Sequence, residues 1–342
     1  VTDPTALQPV LARLARGQKL GEDEAERQFE SFAAGDATPA QIGAALTALA
    51  VRGETVEELT AAVRVMRRHM VPIAGGADAI DCCGTGGDGH GTLNISTAVA
   101  FVVAAAGVPV AKHGNRAASS RSGATDVLGA LGIPIAEPKT AERLLARHGL
   151  TFMFAPHHHP ATKAVGAVRK ELGFRTIFNL AGPLSNPAGV RRQLVGVYDE
   201  RWLTPVAEAL TRLGSVSAWV VCGSDGLDEL TIAGETKIAM LSGGRIECRT
   251  VTPEDAGLRR WTLDDIKGGD PAENAAALLR LLDGETGAYR DIVMLNAAAA
   301  LVVAGKADSL PAGVTLAAAS LDGGKARALL KTLSEEMAEH VL

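Results

Sequence analysis

The sequence predicts an α/β fold in which a stretch of short helices leads into a larger unit built on a mostly parallel sheet. Three observations carry this. The 342 residues are 47% hydrophobic but only 4% aromatic, with 38 glycines, a composition suited to helices packed closely on a sheet rather than to an aromatic-rich sandwich. Apolar residues recur at three- and four-residue intervals up to about residue 70, the period of amphipathic helices. After residue 77 short apolar runs alternate with helical stretches, which is the grammar of βαβ units.

Within residues 4–70, Pro39–Arg52 and Thr55–Met70 read as helices. Thr38 before Pro39, and Thr55 three residues before Glu58, supply the oxygen that satisfies free N–H groups at a helix start. Pro72 and the run Ala74-Gly75-Gly76-Ala77 break this pattern, so a boundary is expected near 72–77. A strand Ala79–Cys83, a glycine loop, a helix from Ser96 to Ala106 and a strand Val108–Ala111 follow. Then come helix 124–131, strand 133–135, helix 140–148, strand 151–154, helix 161–172 and the strand Ser217–Val221. Leu230–Met240 and Arg245–Val251 read as a hairpin on the sheet's edge, turning near Gly243-Gly244, and residues 272–342 read as helical.

A formal charge of −5, from 34 Lys+Arg against 39 Asp+Glu, gives no general attraction to nucleic acid or anionic membrane. The apolar stretch Met294–Gly305 is about half a membrane span and is interrupted by Asn296. Cys82, Cys83, Cys222 and Cys248 form no CxxC pair, and no secretion signal opens the chain; a cytoplasmic protein with mainly core cysteines is expected.

The chemistry concentrates in two loops. Gly84-Thr85-Gly86-Gly87-Asp88-Gly89-His90-Gly91-Thr92-Leu93-Asn94-Ile95-Ser96-Thr97 leaves a strand and enters a helix, where backbone N–H groups and a helix N-terminus can converge on phosphate. Gly84, Gly86 and Gly89 satisfy G-x-G-x-x-G, but the loop runs too long for a dinucleotide motif and the second strand ends in Lys112 rather than an acid. No Gly-Lys-Ser/Thr closes the run, so it is not a P-loop. Lys112-His113-Gly114-Asn115-Arg116-Ala117-Ala118-Ser119-Ser120 brings cations, an amide and hydroxyls to the same sheet edge, just past the second strand. The run His157-His158-His159 is not a metal site, since three consecutive side chains cannot all face one ion on a regular element.

These two loops, together with Phe154-Ala155-Pro156, His159-Pro160-Ala161, Val168-Arg169-Lys170-Glu171-Leu172-Gly173, Arg175-Thr176-Ile177-Phe178-Asn179, Gly182-Pro183-Leu184, Asn186-Pro187 and Asp225-Gly226-Leu227-Asp228-Glu229, resemble the anthranilate phosphoribosyltransferases in family order along nearly the whole chain. Gly129, where the family often has Glu, and the doubled Cys82-Cys83 are departures outside the ligand-binding positions.

The resemblance implies a small helical domain, 1–72 with a returning segment near 163–187, a large α/β domain over 77–342, and a homodimer made through the helical domain. It implies transfer of a phosphoribosyl group from phosphoribosyl pyrophosphate to anthranilate, in tryptophan biosynthesis, with Mg²⁺. For phosphoribosyl pyrophosphate it implies contacts from Gly84, Gly87, Asp88, Thr92, Asn94, Ile95, Ser96, Thr97, from Lys112 through Ser120 and from Ala124. For anthranilate it implies Gly84, Asn115, His159 and Arg169, and for Mg²⁺ Ser96, Asp228 and Glu229. His113 is a candidate proton acceptor as the C–N bond forms. Two rivals compete: a pyrimidine-nucleoside phosphorylase, whose signature has Lys-His-Ser-Thr-Gly-Gly where this chain has Cys82-Cys83-Gly84-Thr85-Gly86-Gly87, and a nucleic-acid-binding relative, which the charge disfavours.

Overall fold

The computed structural model describes residues 5–115 and 122–339. Four helices come first: α1 (Gln8–Ala15), α2 (Glu22–Ala34), α3 (Pro39–Arg52) and α4 (Val56–His69). Thr38 and Thr55 each accept a hydrogen bond from the backbone N–H three residues on, as their positions predict. Glu58 is fully buried, where it caps α4, accepts from Leu20 N and pairs with Arg52.

The sheet unit then runs β1 (Ile80–Gly84), α5 (Ile95–Ala105), β2 (Val110–Gly114), α6 (Ala124–Ala130), α7 (Pro138–His148) and β3 (Leu150–Phe154). The short α8 (Ala155–His158) leads to α9 (Lys163–Leu172) and α10 (Ile177–Leu184), both packed against α3 and with α10 also against α4. The chain re-enters the sheet through β4 (Arg192–Gly196), α11 (Leu203–Arg212), β5 (Ser217–Gly223), β6 (Thr236–Ser242) and β7 (Arg245–Val251). It ends in α12 (Pro271–Leu282), α13 (Ala288–Val303), α14 (Leu310–Asp322) and α15 (Lys325–Glu339).

The strand order is β3-β2-β1-β4-β5-β6-β7, with the first five parallel and the last two antiparallel. Both faces are covered, and alternate residues divide between two cores. Ile80, Cys82, Leu194, Val221 and Ile238 join the core with α5 and α13; Cys83, Val195, Val220 and Ala239 join the one with α4, α10 and α11. The hairpin turns at Gly243 and Gly244, both with positive φ, as a tight two-residue connection requires. Cys82, Cys83 and Cys222 are buried, whereas Cys248 is exposed on edge strand β7.

Several expected elements differ. Residues 133–135 form no strand; Pro134 offers no N–H to a ladder, and Ile133 is buried from an irregular segment instead. The second strand begins at Val110 rather than Val108 and extends to Gly114, so Lys112 and His113 stand within it rather than past its end. The expected helix 161–172 opens as a 3-10 turn over Pro160–Thr162. Residues 230–235 are a loop before β6. The central strand β4 was not foreseen: its five residues begin with Arg192 and Gln193, which hide the apolar run.

Asn296, the polar break in the apolar stretch, is fully buried on α13, among residues of the sheet core. Its Oδ1 accepts from Leu230 N at 2.9 Å, and its Nδ2 donates to Leu230 O at 2.9 Å and Ile292 O at 2.9 Å. One side chain therefore satisfies both backbone groups of a buried loop residue. Asn296→Leu is predicted to strand both groups and to lower stability by about 2–4 kcal/mol, read from the urea midpoint; an unchanged midpoint would show that the clamp carries no weight.

Candidate active site

Strand order reverses around β1, which has β2 on one side and β4 on the other, so chain segments leaving the two sides diverge and open a crevice at the carboxyl edge. The glycine loop rises from β1 at that point. Gly86, Gly87, Gly89 and Gly91 all have positive φ, a backbone path other residues take only with strain. Its far end is pinned by Leu93 N to Ile266 O and Gly268 N to Gly91 O. Asn94 then ties α5 in place: its Oδ1 accepts from Asn274 Nδ2 at 2.8 Å and its carbonyl from Tyr289 Oη at 3.1 Å.

The start of the loop is held by a carboxylate. Asp228 Oδ2 accepts the Gly86 N–H at 2.6 Å, and Thr85 N donates to Gly196 O at 2.9 Å. Cβ atoms on Gly84 or Gly196 would collide with Asp228, so both glycines are what lets its chain segment lie against the strand ends. Asp228 and Glu229 are half-buried. Burial raises Asp228 to about 7, with the Asp88 charge adding to it; burial raises Glu229 to about 8, with Asp228 adding to it.

From β2, Lys112 is buried and donates from Nζ to Cys82 O at 2.6 Å and to Ser96 Oγ at 3.0 Å. This joins β1, β2 and the first turn of α5 around one cation. Behind it, the wholly buried Asp81 accepts from His113 N at 3.2 Å and from Asn186 Nδ2 at 2.8 Å. Burial, opposed chiefly by the Lys112 charge, raises Asp81 to about 6. Asp81 has no role in the sequence reading, and Asn186 stands there only as part of a motif. Their signal was available: a carboxylate inside the apolar run Ile80-Asp81-Cys82-Cys83 needs a buried partner.

On the opposite face, the His113 and His159 rings lie 5.1 Å apart. Burial, with the neighbouring imidazoles His159 and His158 adding to it, holds His113 well below its ordinary value; burial, then His158, lowers His159 to about 4. An aromatic-lined recess of Phe29, Phe32, Met66 and Phe178 adjoins His159. Arg169 is half-buried on α9, its guanidinium 5.8 Å from the Phe178 ring centroid. It donates from Nη2 to Asn179 Oδ1 at 3.0 Å, while its buried Nε has no partner.

Glycine loop, Lys112, Ser96, Asp228 and Glu229 thus share one edge, and His113 and His159 meet beside it. Ala124 lies against Gly114 at the start of α6. Thr97 and Ile95 have buried side chains, so Ile95 can offer a ligand only its backbone. Arg116, Ala117, Ala118, Ser119 and Ser120 lie outside the described residues. Among the described residues no three His, Cys, Asp or Glu side chains form a closed metal cage, and no helix is long and apolar enough to cross a membrane.

Known proteins match this arrangement along the whole chain. The helical bundle domain of a glycosyl transferase family matches residues 8–70, and that family's a/b domain matches 76–327. Anthranilate phosphoribosyltransferases of Xanthobacter autotrophicus and Phenylobacterium zucineum are each 57% identical, over 96% of this chain and 97% and 98% of theirs. The crystal structure of anthranilate phosphoribosyltransferase from Thermus thermophilus superposes with a TM-score of 0.91 at 44% identity, covering 96% of this chain and 99% of that one. The enzyme from Saccharomyces cerevisiae, solved in complex with PRPP and Mg, superposes with a TM-score of 0.90 at 25% identity over 99% of each chain. With this similarity running through both the helices and the sheet, the chain belongs to the anthranilate phosphoribosyltransferase family.

Proposed function

We propose that this protein transfers the phosphoribosyl group of phosphoribosyl pyrophosphate to the amine of anthranilate, giving N-(5-phosphoribosyl)anthranilate and pyrophosphate, with Mg²⁺ as cofactor. The observation that carries the reading is the convergence of the glycine loop, Lys112 and the Asp228–Glu229 pair on one crevice, with Arg169 on the returning helix keeping its buried Nε without a partner.

Departure of pyrophosphate breaks the C1′–O bond and leaves positive character at C1′; the amine lone pair then forms the C–N bond and its proton passes to water or to the released pyrophosphate. The protein's task is to hold the leaving anion and aim the amine. Gly84, Gly87, Asp88, Thr92, Asn94, the Ile95 backbone, Ser96, Thr97 and the segment from Lys112 through Ser120 with Ala124 are assigned to phosphoribosyl pyrophosphate. Lys112 supplies fixed positive charge.

The residues fit Mg²⁺. Two carboxylates raised by burial and then by a neighbouring acid, Asp88 for Asp228 and Asp228 for Glu229, are costly as anions, and a divalent cation lowers that cost. Asp228 and Glu229, with the Ser96 hydroxyl, would hold it and leave positions for phosphate and water. Bound there, it would neutralise phosphate charge.

Arg169, Asn115, His159 and Gly84 are assigned to anthranilate. The amine is already neutral at pH 7, and a ring held as low as His113 is a weak proton acceptor. His113 and His159 therefore serve as an uncharged wall rather than as a base. The same proposal takes 1–72 with 163–187 as the small helical domain and 77–342 as the large α/β domain, a cytoplasmic setting, and homodimer formation through the helical domain, where Val51 and Phe174 expose apolar side chains.

Anthranilate fluorescence gives the direct test. Its disappearance is expected only with both phosphoribosyl pyrophosphate and Mg²⁺ present, and to stop on chelation; phosphorolysis of a pyrimidine nucleoside instead would reject the assignment. Arg169→Ala is predicted to raise the KM for anthranilate by roughly 10- to 150-fold, the range of a lost charged hydrogen bond, with little change for phosphoribosyl pyrophosphate. The reverse pattern would mean that the two substrates are misassigned.

The lowered histidines set a pH dependence. Unfolded, each binds a proton below about 6.5, whereas the folded rings stay neutral. Their contribution is present above that pH and is lost as pH falls towards about 4, because the unfolded chain then binds more protons. His159→Asn is predicted to flatten the loss of urea resistance between about pH 6.5 and 4.5. Parallel slopes for the variant and native chains would contradict the buried neutral ring.

A further inference from the structure

Arg175 follows Gly173, the left-handed residue that ends α9, and is half-buried. Its guanidinium lies 3.7 Å from the centroid of the Tyr198 ring, just beyond β4. The platform is itself fixed, since Tyr198 Oη accepts from Nε1 of the buried Trp202 at 3.1 Å. The guanidinium also abuts the glycine loop: a Cβ built on Gly87 would stand 3.1 Å from Arg175 Nη2 and 3.3 Å from Nε. Among the described residues no carboxylate pairs with it and no hydrogen bond uses its donors. A stacked, positioned arginine whose donors meet no partner among the described residues, beside a run of four positive-φ glycines, is built to receive an anion.

We propose that Arg175 is a ligand of the pyrophosphate moiety, reaching across from the returning helical segment to the glycine loop. The inference rests on the reaction proposed above and adds a residue to it. Gly87 and Asp88 lie on the same side of the crevice as Asp228 and Glu229, so an anion between Arg175 and Gly87 sits at the leaving-group end. Arg169 and Arg175, six residues apart, divide the two substrates: one faces Phe178 and the aromatic recess, the other the glycine loop. Asn179 links them, since its Oδ1 accepts both Arg169 Nη2 and Thr176 N, each at 3.0 Å. As the C1′–O bond breaks, Arg175 donates N–H bonds to oxygens that gain charge.

Inorganic pyrophosphate as a product inhibitor tests this. In Arg175→Ala, the KM for phosphoribosyl pyrophosphate and the inhibition constant of pyrophosphate are expected to rise together by roughly 10- to 100-fold, with the KM for anthranilate within about twofold. Arg175→Lys keeps the charge but loses the planar fork, so partial recovery of both constants is expected. Tyr198→Leu removes the platform and should raise them less than Arg175→Ala. Thermal melting of each variant separates binding from folding. Native pyrophosphate inhibition in Arg175→Ala, or equal weakening of both substrates in every variant in step with a lowered Tm, would overturn the proposal. Failure of the native protein to consume anthranilate would instead overturn the reaction on which it rests.

Discussion

The carboxylate of Asp228 on the Gly86 N–H is the contact on which the crevice depends. It joins the loop after β5 to the loop after β1 across the end of β4, and it works only because Gly84 and Gly196 leave room for the Asp228 segment. The same contact sets the electrostatics. A carboxylate drawn into this position lies close to Asp88 and Glu229, and crowding of three acids in a partly desolvated crevice makes the site one that gains when positive charge arrives. Lys112 answers part of that demand from below, through β2.

Support for this edge comes from polar groups deep in the protein. Asp81 and Asn186 fasten β1, β2 and the segment after α10 to one another, and Asn296 fastens the loop that follows Glu229. Each is buried and hydrogen-bonded at several points, which is the condition under which an interior polar group specifies geometry instead of merely costing desolvation. The candidate ligands are therefore mounted on strand ends and on loops locked from beneath.

Much of this was legible in the residue order. The glycine loop between an apolar strand and an apolar helix was legible as such, and Thr38 and Thr55 cap the helices they were expected to start. What was hidden depended on tertiary partners. Strand β4 looks polar at its start because Gln193 is buried by bonding its amide to Pro183 O, an event 10 residues away in sequence that no local pattern shows. Ile133 and Ile135 read as strand residues, but Pro134 between them has no N–H to give a ladder. Arg175 reads as one more surface charge until Tyr198 and Gly87 are seen against it.

The position of β4 has a consequence for how the chain is made. The β2 partner of β1 lies close behind it in the chain, but its other neighbour begins only at Arg192, after all of α5 to α10. Until Arg192 to Gly196 are made, β1, the strand that carries the glycine loop, has an edge of unpaired backbone N–H and C=O groups, and closing it joins segments far apart in sequence. The N-terminal half is thus an unfinished sheet, vulnerable to pairing with other nascent chains. Ribosomal pausing before Arg192 would prolong that exposure, whereas completion of β4 and β5 ends it and builds the crevice in the same step.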